Sequence, residues 1–399
     1  MGIAERTAPV VVGSAEEAIT TARRFAASIA DGAIERDRAG SLPVTELAEF
    51  DASGLLGLTV PRQHGGSGLP MSVLAEVVRT IAAVDPAIAQ GPQGHYLFTD
   101  VLVAFGTELQ RRLLFADVLS GRRIANALAE RGGTHAQDLN TRLSPKTGSW
   151  RLNGRKYYAT GALTAHWIAV TALDDRERLT LAFVEREADG VSLDRDWNVM
   201  GQRATVSGSV SFENVRVDPE LVLDYASCFE VPQQLGARAQ LYHASIQVGI
   251  AGSAPRVISK ARPFFEAART GWSERALDDP HTIHRFGRLA TQVAAAEALL
   301  SEAARMLDEI GLVPADADAA ARGSLAVARA KAFDSETAVQ VASDLFSLTG
   351  ASATDERHGL DRHWRNARTH ASHDPADWKY HHVGNYLLSG ALPPNHAQL

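Results

Sequence analysis

A chain of 399 residues, 45% of them hydrophobic, can bury a large core, about 75% of the unfolded surface at this size, and suggests two or three domains. A formal net charge of −7, with no Lys/Arg-rich block, argues against a nucleic-acid ligand. The single cysteine, Cys228, excludes an intramolecular disulfide and a cysteine-based zinc cluster and suits a reducing cytoplasm, while no apolar run is long enough for a transmembrane span and the first residues lack the pattern of a signal peptide.

In chain order, residues 1–118 read as a helical domain. Ser14 to Arg36 has the spacing of one amphipathic helix, and the glycine-rich stretch from Val60 to Gly68 reads as a turn, since it lacks both the Lys-Ser/Thr ending of a P-loop and GxGxxG spacing. Residues 119–229 change character. Trp150–Leu152 and Lys156–Thr160 flank Asn153-Gly154, which predicts a β-hairpin. His166–Leu173, Leu179–Glu185 and Ser207–Val217 read as further strands, giving a small antiparallel β domain. Residues 230–399 are helical again. From Phe286 the apolar positions run Leu289, Val293, Ala296, Leu300, Ala303, Leu307 and Ile310, alternating steps of three and four, and Gly311 stops the helix. A second long helix is predicted over about Ser324 to Leu348, ending at Gly350. The fold class is therefore α+β, mostly α, with a helical domain, a small antiparallel β domain and a C-terminal four-helix bundle.

Three strings fall in order within this layout: Asn126-Ala-Leu-Ala-Glu130, Trp150-Arg-Leu-Asn-Gly-Arg-Lys-Tyr-Tyr-Ala-Thr160, and Met200-Gly-Gln-Arg-Ala-Thr-Val-Ser-Gly-Ser209 with Phe212–Val217 behind it. Together they resemble the acyl-CoA dehydrogenase superfamily over nearly the whole chain. Where the common dehydrogenases carry Glu-Gly-Thr, whose Glu removes the α-proton of a thioester, this chain has His373-Asp374-Pro375. That substitution, with the ending Trp378–Leu388, resembles the monooxygenase branch that includes dibenzothiophene monooxygenase and the sulfur-acquisition oxidoreductases. The resemblance implies a reduced-flavin (FMNH2) monooxygenase of a small organosulfur compound, acting with O2 through a C4a-(hydro)peroxyflavin. FAD is the alternative flavin. The chain has no GxGxxG fingerprint, so reduced flavin would come from a separate flavin reductase.

Such a site must exclude water, hold the flavin N5 region by hydrogen bonds and control protonation, the oxidising chemistry being the cofactor's. The resemblance places His373 as the proton-handling group, consistent with an imidazole titrating near neutral pH. Thr160 matches the residue facing flavin N5. Asn126 can donate and accept beside the flavin, and His95 lies where the helical domain lines the substrate cavity. Tyr158 and Trp197 are candidate aromatic walls, and Arg262 matches an arginine on the flavin phosphate. A second phosphate arginine expected after Gly350 is replaced by Ser352. Asp374, followed by Pro375, reads either as a helix N-cap or as a surviving base. His370 and His373 have the spacing of a helical metal pair, but with no HExxH or bridging carboxylate pattern no metal is expected. The Ala-rich apolar helices suggest a homotetramer. The rival readings are an acyl-CoA dehydrogenase with tightly bound FAD and Asp374 as base, and an N- or aromatic hydroxylase on the same fold.

Overall fold

The structure is a computed structural model that describes residues 11–132, 138–260, 266 and 273–396. Seven helices form the first part: α1 (Ala15–Ser28), α2 (Ala33–Ala39), α3 (Val44–Ala52), α4 (Met71–Ala82), α5 (Pro86–Gln90), α6 (Gln93–Phe105) and α7 (Glu108–Leu119). The predicted helix from Ser14 to Arg36 is broken. Ser14 caps its start by accepting from the Glu17 amide, but α1 stops at Ser28. The Arg36 guanidinium donates to the Ile29 carbonyl and ion-pairs with Asp85 and Glu46. A Cβ on Gly32 would lie 2.3 Å from that guanidinium. The arginine thus needs a turn here, and the glycine leaves room for it. The glycine-rich stretch is a turn, with Gly65 at φ 87° and a Cβ on Gly66 placed 2.3 Å from the Val60 carbonyl oxygen.

The middle of the chain forms one eight-stranded sheet: β1 (Ile124–Ala127), β2 (Arg142–Lys146), β3 (Ser149–Lys156), β4 (Trp167–Leu173), β5 (Leu179–Glu185), β6 (Val191–Asp194), β7 (Ser209–Val217) and β8 (Val222–Asp224). The order is β6-β7-β3-β2-β4-β5-β8, with β1 parallel to β4. The predicted hairpin at Asn153-Gly154 is not a turn. β3 runs straight through it, with a register shift against β7 between Leu152 and Gly154. Gly154 sits at φ 153°, where a Cβ would meet Thr141 at 2.3 Å, and the Asn153 carboxamide accepts from the Asn214 amide at 2.7 Å. The pair therefore makes a bulge, the other structure that Asn-Gly favours. The reversal lies between Lys146 and Ser149, where Gly148 has φ 70°.

The last part holds α8 (Leu235–Lys260), α9 (Pro280–Ile310), α10 (Ala317–Thr349), α11 (Asp361–Ala371) and α12 (Ala376–Ser389). Leu289, Val293, Ala296, Leu300, Ala303 and Leu307 are buried along α9, and Gly311 follows with φ 81°. The stripe begins one step later than its periodicity suggests, because Phe286 stays 37% exposed. Among the described residues no helix is long and apolar enough to cross a membrane. One apolar core joins the helices to one face of the sheet, and a second fills the interior of the β domain.

Candidate active site

Four segments meet at a polar edge of the β domain. The stretch after β3 brings Ala159 onto the Gly208 carbonyl at 2.9 Å and Thr160 O onto the Asn126 amide at 3.4 Å. The Thr160 hydroxyl lies 3.0 Å from Ser207 Oγ, which lies 2.8 Å from Thr205 Oγ1, and Thr205 donates to the Gln202 carbonyl at 3.1 Å. A Cβ on Gly161 would sit 2.8 Å from the Gly91 carbonyl, and one on Gly94 would sit 3.0 Å from the Asn126 amide nitrogen. Only glycine allows these close approaches between the α5–α6 turn, β1 and the Thr160 loop. The Asn126 Oδ1 is buried and has no hydrogen-bond partner within the protein. An orphaned buried acceptor costs about 1–3 kcal/mol and marks a place where a ligand N–H is welcome.

Aromatic walls flank this edge. Tyr158, at φ 55° and half exposed, meets Trp197 edge-on at 6.1 Å between centroids. A non-glycine residue in the left-handed region is strained by about 1–3 kcal/mol, and such strain concentrates at functional sites. The Trp197 indole donates to the Gln202 carbonyl at 2.9 Å, and the Arg131 guanidinium lies 5.0 Å from the Tyr158 ring centroid. The loop carrying Trp197 and Thr205 is pinned to α11: the Gln202 amide donates to Asn366 Oδ1 at 2.5 Å, and Arg365 donates to the Met200 carbonyl at 2.8 Å.

The other half of the site is a histidine cluster. His373 is half exposed, its ring lying over His243 at 4.1 Å with a 31° tilt. His243 Nδ1 lies 3.2 Å from His370 Nε2, which also lies 3.2 Å from Gln90 Oε1. Gln90 precedes Gly91, so one short backbone stretch touches both His370 and the Thr160 loop. Burial first, then charged neighbours, holds His243 and His370 well below the usual imidazole range. Asp374 is not an N-cap: Pro375 takes that position and α12 receives no side-chain cap. Its carboxylate instead lies 2.9 Å from Lys379 and 3.4 Å from Lys331, both buried. Burial raises its pKa, but the neighbouring His373 imidazole, 3.5 Å away, and the two ammonium groups outweigh this and pull it well below the carboxylate range. A carboxylate so stabilised is a poor proton acceptor.

The structure brings Asn126, Thr160, Tyr158 and Trp197 into one wall, with His373 on the neighbouring helical segment. His95 is set behind that wall. It is fully buried, its Nε2 is 2.9 Å from the Leu56 carbonyl and its Nδ1 accepts from the Ile124 amide at 3.4 Å. These partners require the neutral Nε2–H tautomer, and burial lowers its pKa to about 4. Arg262 lies outside the described residues. His370 Nε2 is turned toward His243 and Gln90 rather than toward a site shared with His373. Sequence reasoning missed Ser207, Thr205, Gln90, His243 and the lysine pair. Ser207 and Thr205 stood inside the β-domain string quoted for its resemblance. His243, a lone imidazole in the Ala-rich start of α8, carried only a faint signal.

Comparison with known proteins identifies the family. The acyl-CoA dehydrogenase N-terminal, middle and C-terminal domain models match residues 14–122, 125–215 and 241–378. Dibenzothiophene monooxygenase of Rhodococcus erythropolis is 32% identical, with 94% of each chain covered. SfnC of Pseudomonas putida, described as a "probable FMNH2-dependent monooxygenase", is 32% identical over 94% of this chain and 96% of that one. The structure of methanesulfinate monooxygenase MsuC from Pseudomonas fluorescens superposes with a TM-score of 0.88 at 31% identity, covering 96% and 99%. The chain belongs to the acyl-CoA dehydrogenase family and, within it, to the flavin-dependent monooxygenases.

Proposed function

We propose that this protein oxidises a small organosulfur compound with O2, using reduced FMN delivered by a separate flavin reductase. The observation that carries the reading is the environment of His373-Asp374. The carboxylate is clamped by Lys331 and Lys379, leaving the half-exposed imidazole as the group able to exchange a proton at the site.

The residues present fit a flavin. The orphaned Asn126 Oδ1 suits a ring N–H, the Thr160–Ser207–Thr205 hydroxyl row suits a polar ring edge, and Tyr158 and Trp197 suit a flat heterocycle. Bound reduced FMN would supply the electrons for O2 to place one oxygen atom on sulfur, the other leaving as water. Thr160 and Asn126 orient the ring edge. His373 holds and returns the proton that the oxygen transfer requires. Tyr158 and Trp197 narrow the mouth and keep water out. His95 acts at one remove: its bonds to Leu56 and Ile124 fix the start of β1, two residues before Asn126.

The rival reading, a dehydrogenase using Asp374 as base on a coenzyme A thioester, requires a carboxylate able to take a proton, which the lysine clamp opposes. Exposed apolar side chains on α12, with Trp378 59%, Leu387 69% and Leu388 91% exposed, support assembly into a homotetramer, which light scattering after gel filtration tests. The decisive experiment combines the protein with a flavin reductase, NADH, FMN and O2 against thioethers, thiophenes, sulfones, sulfinates and sulfonates, followed by product mass. A gain of one oxygen atom, or desulfonation, supports the reading. Anaerobic reduction of bound flavin by an acyl-CoA overturns it, and oxygenation at nitrogen or an aromatic carbon alone replaces sulfur as the target.

A further inference from the structure

His243 is 2% exposed on the first turns of α8, and the chemistry assigned so far does not use it. Its surroundings fix its protonation pattern. Gln90 presents its amide oxygen, which only accepts, to His370 Nε2 at 3.2 Å, so that nitrogen carries a proton. The same nitrogen lies 3.2 Å from His243 Nδ1. The His243 Nδ1 must then accept, which makes His243 the neutral Nε2–H tautomer. His370 Nδ1 is buried without a partner, consistent with a neutral ring there too. The titratable groups acting on His243 are His373 and Asp374 from the segment before α12, His370 from α11 and Lys331 from α10. Burial and these neighbours oppose a charge on it. His243 therefore offers a flat uncharged face, fixed in orientation from the core side, against which the His373 ring lies at 4.1 Å and 31°.

We propose that His243 is a positioning residue for His373: tethered through His370 to Gln90 in one tautomer, it sets the plane of the His373 ring and confines the exchangeable proton to that ring. The inference rests on the reading that His373 handles the proton. The tether matters because Gln90 adjoins the α5–α6 turn packed against the Thr160 loop, so the same few residues register the imidazole against the polar edge. Without the His243 face, the ring keeps Asp374 beside it, with its Nδ1 3.5 Å from the carboxylate. A displacement of about an ångström in a group that must meet a reacting atom costs up to about 100-fold in rate.

The test uses the full chain with its reductase and the variants His243→Ala, His243→Asn and His243→Phe, alongside His373→Ala. Asn keeps an acceptor toward His370 but removes the stacking face; Phe keeps the face and removes the acceptor. Expected are falls in kcat of about 10- to 100-fold for Ala and Asn with KM changed less than about threefold, a displaced limb in the pH profile of kcat, and recovery of most of the loss by Phe. Nitrogen-15 imidazole spectra of the flavin-free protein should show His243 as the Nε2–H tautomer from pH 8 to 6. Full turnover in His243→Ala and His243→Asn, or an Nδ1–H tautomer in the parent, overturns the proposal. Equal losses in all three variants with an unmoved pH profile also overturn it, reducing His243 to core packing. Unchanged turnover in His373→Ala would instead refute the reading on which the inference stands.

Discussion

The two halves of the site use polar groups in opposite ways. The β-domain edge consists of hydroxyls and one amide that cannot ionise in the working range, and it leaves a buried oxygen, Asn126 Oδ1, unsatisfied. The helical half is dense in titratable groups set against one another: His243 on His370, which also meets the Gln90 amide, and Asp374 between two lysines, although His370 Nδ1 too is left without a partner. Among these groups His373 is half open. Recognition of a flat cofactor needs fixed, unchanging hydrogen-bonding positions. Proton handling needs one group free to change charge among neighbours that are not. On the proposed reading each half bears the cost of its own task, an orphaned acceptor in one and buried charge in the other.

The largest effect that would break this contrast is His373→Ala. Product formation should fall by about 100-fold or more, the usual weight of a positioned acid–base group, while flavin affinity measured by fluorescence quenching changes less than about threefold. A parallel loss of flavin affinity would mean that the helical half also carries recognition. Next comes the acid dependence of stability. His95, His243, His363 and His370 all have folded pKa values depressed by burial, His95 to about 4. The unfolded chain takes up their protons below about pH 6.5 while the folded chain does not, so stability present above that pH is lost as pH falls, by up to about 1.4 kcal/mol per unit for each group. Asp374 acts in a lower window: its pKa is also depressed, so its contribution is intact above its unfolded value near 3.8 and lost only beneath it. Urea unfolding at pH 7.5, 6 and 5 should show the histidine slope. His363→Gln, which replaces a ring bound to Ser253 rather than one at the site, should flatten it. A slope of zero would mean that the buried carboxylates whose pKa values burial raises, Asp51 to about 6 and Asp334 with it, gain as much stability on acidification as the histidines lose.

The periodic elements were legible from the chain alone, because the 3.6 and 2 periods are local. Leu179–Glu185 and the α9 stripe from Leu289 to Leu307 are where their patterns put them. The errors came where a distant residue chose between two local solutions. Asn153-Gly154 serves a turn or a bulge equally well, and it is the β7 strand, with Thr141 against Gly154, that selects the bulge. Asp374 reads as a cap until Lys331 and Lys379 are brought to it. The site behaves likewise. His373 stood out through the string it replaces, whereas His243 is joined to His370 across 127 positions and Gln90 to His370 across 280, separations over which no local pattern runs.

A smaller effect sharpens the account of the polar edge. Asn126→Leu removes the orphaned acceptor, so the flavin-free protein should lose no stability by its thermal midpoint, whereas flavin affinity should weaken about 10-fold, the worth of a hydrogen bond to a buried polar group. Falling stability together with unchanged affinity would show that Oδ1 is a core group with no ligand to meet.

The smallest change is the most specific. Thr160 Oγ1 is one of three hydroxyls in a row ending on the Gln202 carbonyl. When the Thr160 hydroxyl donates outward it gives up its own donation, to Ser207 Oγ or to the Tyr158 carbonyl at 3.5 Å, while its oxygen can still accept from Ser207 and Thr205 can stay on the Gln202 carbonyl. The outward setting therefore forfeits about one neutral hydrogen bond, about 1 kcal/mol. Thr160→Ser keeps the row and should leave turnover within about twofold, while Thr160→Val keeps the shape and should lower it about fivefold, matching the loss of one neutral hydrogen bond. Thr205→Val removes the Gln202 bond without touching the outer hydroxyl. It should lower turnover less than Thr160→Val does, and equal losses in the two would mean that the row acts as a unit rather than through its outer member.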